Sequence, residues 1–83
     1  MGIMSMEKSL ATRLFEAGLL VSATIVPAPM QSNTYMLMLR QQDGKQEELS
    51  RWRSKEPRLF KTLEAASNEA ARIGFKQVTV MTG

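Results

Sequence analysis

The sequence predicts one α+β domain spanning residues 1–83, in which an antiparallel sheet carries its helices on one face and the elements follow the order α-β-β-β-α-β. Two stretches place apolar residues at helical spacing, and each ends at a glycine, Gly18 or Gly74. Between them, Asp43-Gly44 separates two strand-like runs and is the strongest short-range signal for a hairpin. A chain of 83 residues buries one modest core, which predicts a single domain.

The first helix is expected to begin after Ser5, a good N-cap residue, and to run to about Ala17. Gly18 followed by Leu19 predicts a left-handed glycine stop in which Leu19 contacts Leu14. A strand then follows from Leu20 to Val26, where Pro27-Ala-Pro29 ends the ladder. The expected apolar stripe of the helix consists of Met6, Leu10, Leu14 and Ala17.

The central hairpin is predicted from strands at Thr34–Gln42 and Lys45–Arg53 that flank the Asp43-Gly44 turn. A two-residue loop sets the register, so that the numbers of opposed residues sum to 87. An opposite-charge pair and an aromatic pair then become cross-strand neighbours, which favours this register. It pairs Arg40 with Glu47, Met38 with Leu49 and Tyr35 with Trp52.

The second helix is expected to follow Thr62, a capping residue, with the acidic Glu64 in its first turn. Gly74 and Phe75 repeat the glycine stop of the first helix, and Lys76–Met81 reads as a final strand. The expected apolar stripe of the helix consists of Leu63, Ala66, Ala70 and Ile73.

The composition argues against catalysis and against a bound metal or other cofactor. The chain has no Cys and no His, so thiolate chemistry and the commonest metal ligand are missing, and Asp43 is its single Asp. The N-terminal residues lack the apolar stretch of a targeting signal, and no apolar run approaches a membrane span. We therefore expect a cytoplasmic protein that is not an enzyme.

Positive charge is concentrated between Arg51 and Lys61. This stretch holds five cationic side chains and one acid, Glu56, for a charge of +4 within a total of +3, which leaves about −1 for the rest. Such a concentration beside Trp52 is typical of a surface that binds nucleic acid. It is also compatible with a solvated loop that favours solubility. The cationic residues are Arg51, Arg53, Lys55, Arg58 and Lys61.

The two faces of the hairpin differ in character. We assign one face to the core beneath the helices: Tyr35, Leu37, Leu39, Ser50 and Trp52. The other face mixes apolar and charged residues: Met36, Met38, Arg40, Glu47, Leu49, Arg51 and Arg53. That mixture fits contact with nucleic acid through the arginines or with a second protein. Alternatively the assignment is inverted, and Met36, Met38 and Leu49 belong to the core.

Residues 34–66 resemble the three-stranded N-terminal DNA-binding domain of tyrosine integrases. The matching elements are Tyr35 to Arg40, Asp43-Gly44-Lys45, Arg58-Leu-Phe-Lys-Thr62 and Glu64-Ala65-Ala66. The segment is also similar to small strand-strand-helix-strand proteins of bacteria and their mobile elements. The integrase resemblance implies DNA contact through the outer sheet face, with Arg40, Arg51 and Arg53 at contact positions. The first helix and the closing strand depart from that pattern.

The first functional hypothesis is a small accessory or regulatory protein that binds DNA or RNA without a cofactor. Its expected contacts to nucleic acid are Arg40, Arg51, Arg53, Lys55, Arg58 and Lys61. The alternative is a protein–protein interaction module or homodimer that uses Met36, Met38 and Leu49.

Overall fold

The computed structural model describes residues 4–29, 32–51 and 56–81. Within these ranges the elements follow the order β-α-β-β-β-α-β, which confirms the α+β class and adds one strand before the first helix. The elements are β1 (Met4–Glu7), α1 (Lys8–Glu16), β2 (Leu20–Pro27), β3 (Tyr35–Gln41), β4 (Gln46–Ser50), α2 (Leu63–Ile73) and β5 (Thr79–Val80).

The described strands form one sheet in the order β1-β4-β3-β2-β5. Strand β3 is antiparallel to both of its neighbours, whereas β1 runs parallel to β4 and β5 runs parallel to β2. The expectation of an antiparallel sheet is therefore wrong at both edges, and the sheet is mixed. The cause is the pair of helices, since each carries the chain back across the sheet so that the next strand enters in the same direction as the strand before the helix.

The N-terminal segment is a strand where the sequence favoured the start of a helix. Ser5 and Met6 pair with Glu48 and Leu49 along the outer edge of β4, and Met6 is only 2% exposed. The ladder satisfies backbone groups that would otherwise stay unpaired at this edge. Helix α1 consequently begins at Lys8, after a Glu7 N-cap that makes no side-chain capping hydrogen bond.

The buried side of α1 is rotated from the expected stripe. Ala11 is fully buried, and Leu14 and Phe15 pack partly buried against the core. Leu10, which was expected on the stripe, is 41% exposed. The rotation follows from the late start of the helix. Met6 enters the core from strand β1, so it is not one of the helical residues whose spacing determines which face of α1 is buried.

The central hairpin turns where expected but with a different register. Its loop has three residues, since the Gln41 N–H donates to the Lys45 carbonyl at 2.8 Å and Gly44 adopts φ +93°. Opposed residues therefore sum to 86, so that Leu39 faces Glu47. A shift of one residue turns every β4 side chain to the other face of the sheet. Leu49, expected on the outer face, is fully buried in the core, so that placement is wrong.

The local signals at the start of α2 and at the C-terminal ends of both helices are confirmed. The Thr62 hydroxyl accepts a hydrogen bond from the Ala65 N–H at 3.0 Å and caps α2. At the glycine stops, the Leu19 N–H donates to the Leu14 carbonyl and the Phe75 N–H to the Ala70 carbonyl. The strand expected from Lys76 to Met81 is shorter, since only Thr79 and Val80 form β5.

Both helices lie on one face of the sheet, as predicted. They contact each other and the central strands, and their small residues allow close approach to the sheet. The opposite face carries no helix in the described part of the chain, and we call it the helix-free face. The core between sheet and helices consists of Met6, Ala11, Leu20, Ala23, Ile25, Leu37, Leu39, Leu49, Phe60, Ala66, Ala70, Ile73 and Phe75.

Candidate nucleic-acid interface

Residues 56–60, which we call the bridging segment, join β3 and β4 where the two strands separate. Phe60 forms paired backbone hydrogen bonds with Tyr35 at the start of β3, both 2.8 Å long. The Arg58 N–H donates to the Leu49 carbonyl of β4 at 2.8 Å. These bonds fix the backbone of Arg58 beside the end of the sheet, within reach of the helices.

Arg58 meets two other cationic side chains at one buried carboxylate. Its Nη1 atom donates to Glu69 Oε2 at 2.7 Å. Lys8 Nζ and Arg72 Nη1 lie 3.5 and 3.6 Å from the other oxygen, Oε1. Helix α1, the bridging segment and α2 each contribute a cation, and we call Lys8, Arg58, Arg72 and Glu69 the Glu69 cluster.

The Glu69 cluster exposes its positive charge and buries its negative charge. The Glu69 side chain is 2% exposed, while those of Lys8, Arg58 and Arg72 are 43%, 46% and 66% exposed. Three cations and one carboxylate give the cluster a formal charge of +2. Among the described residues, Glu69 Oε1 accepts no hydrogen bond, so most N–H donors of Lys8 and Arg72 are available to an anion.

Arg58 is further constrained by an aromatic ring. Its guanidinium carbon lies 5.4 Å from the centroid of the buried Phe60 ring, within the range of a cation–π contact. The backbone bond to Leu49, the bond to Glu69 and this contact together hold Arg58 in one place.

The structure describes four of the predicted contact residues, and it does not bring all four to one surface. Arg51 and Arg58 line the same cavity, but Arg40 does not. Arg58 points to the helices, whereas Arg40 is exposed on the helix-free face. Arg51 lies just after β4 and pairs with Glu56 at 3.4 Å, and Lys61 is exposed before α2. Arg53 and Lys55, together with Trp52, lie outside the described residues.

Three members of the Glu69 cluster were not singled out from the sequence: Lys8, Glu69 and Arg72. For Glu69 a signal exists, because it lies three residues after Ala66 and four before Ile73, on the buried side of α2. A charged residue at such a position requires partners. No sequence pattern links it to Lys8, since the contact depends on how α1 packs against α2.

Met36, Met38 and Arg40 of β3 lie on the helix-free face. Met36 is already buried and Met38 is half-buried. Glu48 of β4 is opposite Met38, which makes it a diagonal neighbour of the exposed Arg40. Within the described ranges, neither of these two charged side chains has a hydrogen bond or an ion pair.

A second buried carboxylate, Glu47, lies near the hairpin turn. It is 6% exposed, and Gln41 Nε2 donates to its Oε1 at 2.6 Å. Burial raises the pKa of Glu47, the charge of Asp43 raises it further, and Lys45 opposes both effects. Nothing in this arrangement gathers positive charge.

Searches against family models, curated proteins and solved structures found no match to this chain. The described part of the chain contains no helix long and apolar enough to cross a membrane. It also contains no group of three or more His, Cys, Asp or Glu side chains placed to hold a metal ion.

Proposed function

We propose that this protein binds the phosphate backbone of DNA or RNA through the Glu69 cluster, as a non-enzymatic accessory or regulatory protein of the cytoplasm. The observation that supports this proposal is the convergence of Lys8, Arg58 and Arg72, from three segments of the chain, on one buried carboxylate. Only Arg58 belongs to the basic stretch of residues 51–61, and together with Glu69 the three cations form one compact group of formal charge +2.

The chemistry of the cluster suits a phosphate. Guanidinium groups donate paired hydrogen bonds to phosphate oxygens, and the Lys8 ammonium adds a compact point charge. Neutralising backbone phosphates releases condensed counterions, which is the main source of affinity in sequence-independent binding. The chain's overall charge of +3 favours the approach of a polyanion in the same way.

Lys61 is an exposed cation three residues after Arg58, and we keep it in the proposal as a further phosphate contact. Arg40 lies on the helix-free face and is assigned to no phosphate contact here. Arg51 forms an ion pair with Glu56, so the proposal gives it a peripheral role in phosphate binding.

The test is duplex and single-stranded DNA binding by Lys8→Gln and Arg72→Gln, measured by fluorescence anisotropy of labelled oligonucleotides. Both side chains are exposed, and Arg58 keeps its 2.7 Å hydrogen bond to Glu69 in either variant, so each variant should remain folded. We expect each to raise Kd about 3- to 10-fold at low salt and to reduce the salt slope by about 0.9 for duplex DNA, the value of one lost phosphate contact.

The matched control is Arg40→Gln, which removes the same charge from the helix-free face. It should leave Kd within about twofold of the wild-type value. Equal losses in all three variants would contradict the site and indicate an effect of net charge alone. The absence of any salt-sensitive binding by the wild-type protein at low salt would contradict the function itself.

A second candidate function, self-association through the helix-free face, is favoured by Arg40 and Glu48. These opposite charges are diagonal neighbours, flank the half-buried Met38, and have no ion-pair partner in the described part of the chain. Two copies packed face to face about a two-fold axis place Arg40 of one copy against Glu48 of the other. Met side chains adapt well to such a contact.

Light scattering after size exclusion tests this second candidate. Arg40→Glu should dissociate the dimer because two acids would then face each other, and Arg40→Glu combined with Glu48→Arg should restore it. A monomeric wild-type protein at high concentration, or a dimer indifferent to Arg40→Glu, would contradict this candidate.

A further inference from the structure

We infer that Glu69 is a positioning residue for phosphate binding, so that removing its negative charge weakens the binding of a polyanion. The inference rests on the proposed function, since it concerns the same cations. It is opposite in sign to simple electrostatics, in which losing an acid beside a phosphate site strengthens binding.

Because the Glu69 carboxylate is buried, it can hold the three cations without contacting the ligand. The Glu69 side chain is 2% exposed, so a phosphate on the surface cannot reach its oxygens. The three cations around it are 43% to 66% exposed and reach solvent. Glu69 therefore acts on the ligand through the cations that it holds and makes no contact of its own.

The advantage of this arrangement is reduced conformational entropy. Free Lys and Arg side chains lose rotamer freedom when they are fixed in one position, and this loss opposes binding. Lys8 and Arg72 already lie 3.5 and 3.6 Å from the same oxygen, so part of that loss occurs on folding and is absent on binding.

The distances also show which cations form a hydrogen bond with Glu69 and which keep their N–H groups for a ligand. Arg58 uses Nη1 in a 2.7 Å hydrogen bond to Oε2 and anchors the cluster. Lys8 and Arg72 are attracted to Oε1 without forming a hydrogen bond that meets ordinary geometry. They are held close by charge while their N–H groups stay available, which is the condition that a phosphate contact requires.

The test compares two charge-removing changes on α2, Glu69→Gln and Glu64→Gln. Glu64 is exposed in the first turn of the helix and serves as the matched control for net charge. With a labelled DNA duplex at low salt, Glu69→Gln should raise Kd about threefold or more, whereas Glu64→Gln should leave Kd unchanged or lower it slightly. Tighter binding by Glu69→Gln would overturn the inference.

Glu69→Asp is a second variant that keeps the net charge and withdraws the carboxylate by one methylene. Positioning predicts weaker binding by this variant as well, whereas an effect of charge alone predicts no change. Circular dichroism melting sets a temperature at which every variant is folded, and binding is measured there. Wild-type affinity in Glu69→Asp would count against positioning.

A double-mutant cycle separates positioning from general structural damage. If Glu69 acts through Lys8, then Lys8→Gln should cost much less affinity in the Glu69→Gln protein than in the wild type. Additive losses would contradict the inference. Failure of the wild-type protein to bind DNA would instead contradict the proposed function, so the two failures are distinguishable.

Discussion

Glu69 and Glu47 are both buried carboxylates, but the structure stabilises their charges by different means. Glu69 lies between the helices and the bridging segment, where three cations from distant parts of the chain surround it. Glu47 lies beside the hairpin turn, where a neutral donor, Gln41, bonds it at 2.6 Å and the nearby Asp43 repels it. Glu69 therefore connects three separate segments of the chain, whereas Glu47 interacts with residues of its own hairpin.

The comparison shows under which conditions a buried charge helps to hold distant segments of the chain together. Desolvating a carboxylate costs several kcal/mol unless charge and hydrogen bonds compensate. At Glu69 the compensation ties α1, the bridging segment and α2 to one point. At Glu47 it is local, between residues six positions apart in sequence. Removing partners should therefore have unequal consequences at the two sites.

The largest effect is expected from Arg58→Met, which removes the hydrogen bond at Glu69 Oε2 and keeps an apolar stem of similar length. We expect the free energy of unfolding in urea to fall by about 2 kcal/mol, because a buried carboxylate loses its strongest partner. The matched control is Arg51→Met in the exposed pair with Glu56, which should change stability by less than about 0.5 kcal/mol.

Adding Glu69→Leu to Arg58→Met should restore most of the lost stability, because the orphaned charge disappears together with its partner. Equal destabilisation by Arg58→Met and Arg51→Met would remove the distinction between the Glu69 cluster and an ordinary surface pair.

The smallest effect is expected from Glu47→Gln, which keeps an oxygen that accepts the Gln41 hydrogen bond and removes the charge. Because folding raises the pKa of Glu47 above 4.5, the folded protein holds this proton more tightly than the unfolded chain. Ionisation of Glu47 therefore opposes folding: its cost is absent below the unfolded pKa and develops as pH rises through the folded value. The variant should be more stable than wild type at pH 7, by less than about 1 kcal/mol.

Urea unfolding from pH 3 to pH 8 checks this expectation, with Glu48→Gln as the control on the neighbouring residue. The gain from Glu47→Gln should vanish at the acid end of the series, where both proteins are uncharged at this position. A loss of stability at pH 7 would indicate that the ionised Glu47 side chain stabilises the fold, and it would contradict this expectation.

Short-range signals in the sequence were sufficient for the C-terminal end of α1, for both ends of α2 and for the location of the hairpin. The Thr62 cap and the stops at Gly18 and Gly74 depend on residues within five positions of one another. At Gly74 a further constraint is tertiary: an added Cβ would lie 2.5 Å from the Phe15 ring of α1, and that ring packs edge-on against Phe75.

Local signals were insufficient for the hairpin register and for the first strand. The Asp43-Gly44 pair is compatible with loops of two or three residues, and the longer loop moves Leu49 into the core. Packing decides between them, because burying Leu49 removes a large apolar side chain from water. Likewise, Ser5 suits a helix cap, but the open edge of β4 recruits Met4–Glu7 as a strand.

The sequence by itself determined the α+β class, the face of β3 that meets the core, the C-terminal end of α1, both ends of α2 and the excess of positive charge. Each of these depends on composition or on residues close together in the chain, whose physical effects act over a few bonds. Only the tertiary structure decided the parallel edges, the face of β4 and the assembly of Lys8, Arg58 and Arg72 around Glu69. Those features arise from contacts between distant segments, where burial and charge compensation outweigh local preference.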